Sequence, residues 1–168
     1  MIKLVNETDP ILKQPATDWD FERDSNPEEL EIIMIGLMQE HKGRGLAANQ
    51  IGLLKRVFVI KLESNDEFVE PFAMFNPRII EESADQTLDL EGCLSFPNLW
   101  LQVKRPATVK SEFFDKQGKS CIITLTGIDA RCFLHELDHL NGVCFTDRIS
   151  QLKLALARKK QRKYNGRT

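Results

Sequence analysis

The stretch TGIDARCFLHELDHLNG, residues 126–142, decides the reading of this chain. It carries the marks of one helix. Thr126 can cap its start, Asp129 three residues later resembles the second half of a capping box, and Asn141-Gly142 supplies a stop. Inside it lies His135-Glu136-Leu137-Asp138-His139. Histidines at i and i+4 project from one helix face, one above the other, so both rings can reach a single ion at about 2.0–2.1 Å. Glu136, next to the first histidine, can sit beside an ion-bound water without being a ligand. A cation lowers the pKa of such a water from about 15.7 to near 7, and Glu136 can then take its proton as general base and return it as general acid. Two of the chain's three histidines fall in this motif, which sets it apart from a surface helix that matches the pattern by chance.

A catalytic ion needs a third protein ligand. A metzincin-type continuation would put it at position 145, where Phe145 cannot bind metal. A thermolysin-like enzyme would use a downstream Glu, but after His139 there is none and Asp147 is the only carboxylate. A zincin-like metallopeptidase is therefore only the alternative reading. Upstream candidates are His41 and the cysteines. Cys132 shares roughly the helical face of His135 but points away from an ion centred between the histidines. Cys93, in Glu91-Gly92-Cys93-Leu94-Ser95, occupies a loop or strand end from which a thiolate can approach a helix. Spacing alone does not choose among them, and a buried cysteine is also an ordinary small hydrophobe.

Outward from the motif, residues 27–41 read as a helix. Asn26 caps it, Pro27 suits its first turn, and Leu30, Ile33, Met34, Leu37 and Met38 mark a buried face. Residues 56–62 read as a strand, and residues 72–80 as another that Pro77 interrupts. Residues 107–114 and 120–125, separated by the turn signal at 115–119, read as a hairpin. A last helix is expected from about 149 to 164. Helix, strands, helix, helix without β-α alternation predicts an α+β fold, with antiparallel sheets packed around the central helix and further helices at each terminus.

At 168 residues the chain suits one domain with a real core. With 42% hydrophobic and 29% charged residues it resembles ordinary soluble proteins. No run approaches the roughly 18 apolar residues of a membrane span, and MIKLVNETDP lacks a signal-peptide core. A cytoplasmic protein without membrane or DNA partners is expected, its four cysteines remaining thiols or metal ligands. Charge divides it unevenly. Residues 1–150 hold 16 basic and 25 acidic residues, whereas 151–168 hold seven basic residues and no acidic one. The tail is either a solvated helix or a contact for a polyanion such as RNA.

Three motifs in order, Gly43-Arg44-Gly45-Leu46-Ala47-Ala48-Asn49-Gln50, Glu91-Gly92-Cys93-Leu94-Ser95 and His135-Glu136-Leu137-Asp138-His139, resemble the peptide deformylase family, and the likeness extends through most of the chain. The resemblance implies that residues 1–150 form the catalytic domain and 151–168 a basic helical tail of that domain. It implies metal-dependent hydrolysis of the N-terminal formyl group of N-formylmethionyl polypeptides, with release of formate. Cys93, His135 and His139 would bind the metal, a ferrous ion natively that zinc, nickel or cobalt can replace. Glu136 would move the proton, while the Gln50 amide and the Leu94 backbone N–H stabilise the oxyanion. Arg44, Gly45, Gly92, Leu94, Arg131 and Cys132 would line the substrate site, with the peptide running beside residues 43–45 as an added strand. Glu91 and Arg105 would tie the cysteine segment to its neighbouring strand. The family usually carries apolar residues where this chain has Arg44 and Arg131, so these two cations are expected to alter side-chain preference. By the same likeness the basic tail is a candidate for ribosome contact.

Overall fold

The computed structural model describes residues 2–63 and 70–166. Helix α1 (Pro27–Glu40) begins as expected, with the Asn26 side chain accepting hydrogen bonds from the backbone of Glu28 and Glu29. Seven strands follow in two sheets. Strands β1 (Gly45–Ala47), β2 (Val57–Ile60), β3 (Phe72–Glu82), β6 (Thr108–Phe114) and β7 (Ser120–Thr126) form one antiparallel sheet in the order β1-β2-β3-β6-β7. Strands β4 (Gln86–Cys93) and β5 (Phe96–Pro106) form a separate hairpin. Helices α2 (Gly127–Leu140) and α3 (Gln151–Asn165) complete the chain. The architecture is the α+β arrangement that the element order predicts.

Packing explains why α2 is central. Its Ala130, Phe133, Leu134 and Leu137 sit in one core cluster with Phe58, Ile60, Met74, Phe113 and Leu125 of the five-stranded sheet. The opposite face of that sheet buries Leu46, Val57, Val59 and Ala73 against Leu30, Met34 and Met38 of α1. The β4–β5 hairpin covers the remaining side of α2, where Arg131 and Asp138 bond to hairpin residues. Eleven of the fourteen α2 residues are buried, so the polar groups of this helix must find partners inside the protein.

Three local expectations are corrected. Pro77 does not interrupt its strand: β3 runs through it with a shift of register between Phe75 and Arg78. Asn76 takes the strain at φ 50°, and its side chain exchanges two hydrogen bonds with the Trp19 backbone at 2.6 and 3.0 Å, standing in for a strand neighbour. The Thr126 side chain makes no cap, and Asp129 closes no capping box; its carboxylate accepts from the Glu63 backbone at 2.9 Å and pairs with Arg44. Residues 86–106, read from sequence as little more than the surroundings of a cysteine, form the longest hairpin of the fold. The stop at Asn141-Gly142 is as expected. Gly142 is left-handed at φ 71°, and Val143 N–H bonds back to Asp138 O at 2.9 Å, closing the last turn.

Candidate active site

Cys93 ends β4, and His135 and His139 lie one turn apart on α2. Their ligand atoms all lie within 4.8 Å of one another, the only such group of His, Cys, Asp or Glu among the described residues. Cys93 Sγ is 3.3 Å from His139 Nε2. The alternatives left open by spacing are thereby separated: His41 and Cys132 line the same cavity but do not converge with the histidines.

A buried ionic network sets this geometry. Glu91, two residues before Cys93, accepts from Arg105 Nε at 2.6 Å and Nη2 at 2.9 Å. It also accepts from Arg131 Nη1 at 2.8 Å and meets His135 Nδ1 at 3.0 Å. With Nδ1 engaged by a carboxylate, the Nε2 lone pair of His135 is left for an ion. Burial alone would raise the Glu91 carboxyl, but the bond from His135 and the bonds and charge of Arg105 outweigh it and hold the group at about 2. Arg105 also donates to Asp138 at 2.8 Å, joining the cysteine strand to the histidine helix. Asn49 donates to the His139 carbonyl at 2.6 Å and ties that helix to residues 48–51.

Glu136 is buried, and its Oε2 has no hydrogen-bond partner among the described residues. Burial pushes its carboxyl up to about 7, with the Glu91 charge adding to this against His135 and Arg105. Such a group exchanges protons readily near neutrality. The Gln50 amide is oriented: Oε1 accepts from Ala47 N–H at 2.8 Å, so Nε2 faces Ser95 Oγ at 3.2 Å and Cys93 Sγ at 3.5 Å. Ser95 and Asn49 were not singled out from sequence, because neither sits in a spacing that signals chemistry.

A cavity of about 500 Å³ opens over these groups, lined among others by Arg44, Gly45, Gly92, Leu94, Arg131 and Cys132. Gly45 has a role beyond that expected of it. A Cβ there would lie 2.5 Å from Glu136 Oε1, so the missing side chain makes room for the carboxylate. At Gly92 a Cβ would meet the Trp100 ring at 2.8 Å. Arg131 offers the cavity no free charge. Its guanidinium donates to Glu91, to the Val103 carbonyl at 2.7 Å and to the Thr87 carbonyl at 3.0 Å. Arg44 pairs with Glu63 and, at 3.4 Å, with Asp129. One thiolate and two imidazoles, one ring held by a carboxylate, make a donor set that suits a divalent transition metal.

The profile of the family described as Polypeptide deformylase matches residues 1–155. The peptide deformylase of Rhizobium meliloti is 39% identical over 145 residues, covering 86% of this chain and 83% of the relative. That of Mesorhizobium japonicum is 41% identical over 156 residues, covering 92% and 88%. Among solved structures, the Synechococcus elongatus peptide deformylase in complex with actinonin superposes with a TM-score of 0.86 at 36% identity, over 95% of this chain and 85% of that one. The Thermotoga maritima peptide deformylase gives 0.81 at 36% identity, over 89% and 98%.

Replacing Glu91 by Gln tests the network. The affinity for a divalent cation, measured by chelator competition, is expected to fall about 10–100-fold, as for other partners that orient a metal-binding imidazole. Unchanged affinity would show that His135 needs no such support.

Proposed function

This chain belongs to the polypeptide deformylase family, and on that premise we propose how it hydrolyses the formyl amide of N-formylmethionyl polypeptides to formate and a free amine. The observation that carries the reading is the convergence of Cys93, His135 and His139 beside buried Glu136, with Cys93, His135 and Glu136 lining one cavity. A zincin-like peptidase falls away, because the family match is to deformylases and the third candidate ligand is an upstream thiolate.

In this reading Cys93, His135 and His139 hold one divalent ion, ferrous natively and replaceable by zinc, nickel or cobalt. When bound, the ion supplies a Lewis acid and an acidified water. Glu136 would take a proton from the attacking water and deliver it to the departing amine nitrogen, a role that suits a carboxyl near 7 whose Oε2 has no hydrogen-bond partner among the described residues. The Gln50 Nε2 and the Leu94 backbone N–H donate to the developing oxyanion. Gln50 is prepared for this because Ala47 already fixes its oxygen. Strand β1 is the sheet edge, and the peptide backbone is proposed to add beside it. Arg44, Gly45, Gly92, Leu94, Arg131 and Cys132 shape the walls around the peptide. Arg131 contributes through shape, since its charge is spent on Glu91. Arg44, tethered by Glu63 and Asp129 at the cavity wall, narrows the choice of side chain.

Residues 1–150 are proposed as the catalytic part and 151–168 as its helical extension, of which Arg167 lies outside the described residues. No helix among the described residues is long and apolar enough to cross a membrane. We place the enzyme in the cytoplasm, where formylated chains are made, with no DNA partner. The exposed cations of α3 are proposed to meet ribosomal RNA.

Four outcomes are expected. Glu136→Gln should retain metal yet lose about 10²–10⁴-fold in formate release from a formyl-Met peptide. Chelation of the parent should abolish release until metal is returned, so release at the parent rate after chelation would sink the reading. Arg44→Ile should even out kcat/KM across a panel of formyl-Met-X peptides, and an unaltered spread would deny Arg44 its role. Reversing Lys159, Lys160 and Lys163 to Glu should weaken co-sedimentation with ribosomes at low salt; equal sedimentation would remove the RNA contact.

A further inference from the structure

The turn that leaves Cys93 is held less by its own hairpin than by the C-terminal helix. Gly92 pairs with Trp100 and Cys93 with Phe96, so Pro97, Asn98 and Leu99 have no opposite residue on β4. Asn98 is left-handed at φ 61°. Phe96, Pro97 and Asn98 all line the cavity. A backbone bulge without ladder partners, beside the candidate ligand Cys93, needs support from elsewhere.

That support comes from one face of α3. Leu154, Ala157, Arg158 and Gln161 are its half-buried residues, while its other residues through Gly166 are exposed. Leu154 and Ala157 pack against the apolar cluster of Phe96, Leu99 and Leu101. Gln161 Nε2 donates to the Pro97 carbonyl at 2.7 Å. Asn98 Nδ2 donates to Asn165 Oδ1 at 2.9 Å. The Arg158 guanidinium stands 5.9 Å from the centre of the Phe96 ring. Arg158 also donates to Gln161 Oε1 at 3.0 Å, leaving the Gln161 nitrogen for Pro97, and is itself paired with Glu7 at 2.7 Å. Three consecutive cavity residues are thus each met by a different residue of one helix face.

We propose that Gln161 and Asn165 are positioning residues: they hold the bulge 97–99, and with it the cavity wall next to Cys93 and Leu94, in the shape that receives the peptide. They touch neither the candidate ligands nor Glu136, so they act on substrate binding rather than on the chemical step. The kinetic part of this inference rests on the deformylase reading.

The test uses the full chain. Gln161→Glu is isosteric but replaces the donor by an oxygen. It should raise KM for a formyl-Met tripeptide about threefold to tenfold, the worth of one hydrogen bond, with kcat within about twofold. Gln161→Lys, which restores a donor, should return KM towards the parent. Asn165→Asp keeps the acceptor and should match the parent, whereas Asn165→Leu should not. Hydrogen exchange of the amides at 98–100, measured without substrate, should quicken in Gln161→Glu and recover in Gln161→Lys. Unchanged exchange and KM in Gln161→Glu would overturn the proposal. So would a raised KM that Gln161→Lys fails to rescue, or faster exchange with an unchanged KM. If the parent released no formate, the deformylase reading would fail, and hydrogen exchange would still decide whether α3 holds the wall.

Discussion

Arg105 is the interaction on which the site depends. One guanidinium, buried between the cysteine strand and the histidine helix, grips Glu91 with two nitrogens and Asp138 with a third. Through it β4 is tied to Asp138 of α2, a link that adds to those Glu91 makes directly with Arg131 and His135. Taking such charges out of water is expensive, and the mutual attraction repays it only when geometry is good and the remaining donors and acceptors are filled. Here they are filled. Glu91 also receives Arg131 and His135, and Asp138 also receives Arg148. Removing one member of a buried pair typically destabilises by about 3–5 kcal/mol because its partner is left charged and dry. The network therefore couples folding to the fit of the candidate metal ligands.

The same network explains why the candidate site sits on a helix with hardly any solvent-facing side. In water, two histidines and a glutamate at these positions would be mobile and no different from other exposed side chains. Between two sheets each is assigned one task by its neighbours. His135 has its Nδ1 engaged, Glu136 is desolvated against Gly45, and His139 has its carbonyl held by Asn49. Asp138, inside the motif, is turned from the cavity towards Arg105 and Arg148 and serves architecture alone.

What could be read in the sequence was whatever depends on local periodicity. The two histidines four residues apart, the Asn26 cap, the Asn141-Gly142 stop and the hairpin around residues 115–119 follow from the geometry of one or two turns of chain. Contacts between distant segments could not be read in that way. Asp129 looked like a capping residue, but its carboxylate serves Glu63 and Arg44 across the fold. Pro77 looked like a strand breaker, but Asn76 absorbs the irregularity by bonding to Trp19. Arg44 and Arg131 looked like a pair of cations at one pocket. Their surroundings separate them: the Arg131 side chain is 5% exposed and fully engaged with the hairpin, whereas that of Arg44 is 35% exposed and lies beside two carboxylates. Formal charge is a property of sequence, and its effect on a ligand is a property of the partners that folding supplies.

The C-terminal helix carries that lesson to the edge of the fold. Its lysines dominate any reading by composition and suggest an independent basic tail. Helical geometry allows the same fifteen residues to hold a second message, because positions 154, 157, 158 and 161 share one stripe. That stripe is apolar or capable of neutral hydrogen bonding, apart from Arg158, whose charge is answered by Glu7 and laid over Phe96. The remaining cations are left to face water, so charge on one side and docking on the other do not compete. A chain that must keep a bulged turn in shape beside its candidate metal ligand gains from such a division. The wall is supported from behind by a helix whose outer surface can vary without disturbing it.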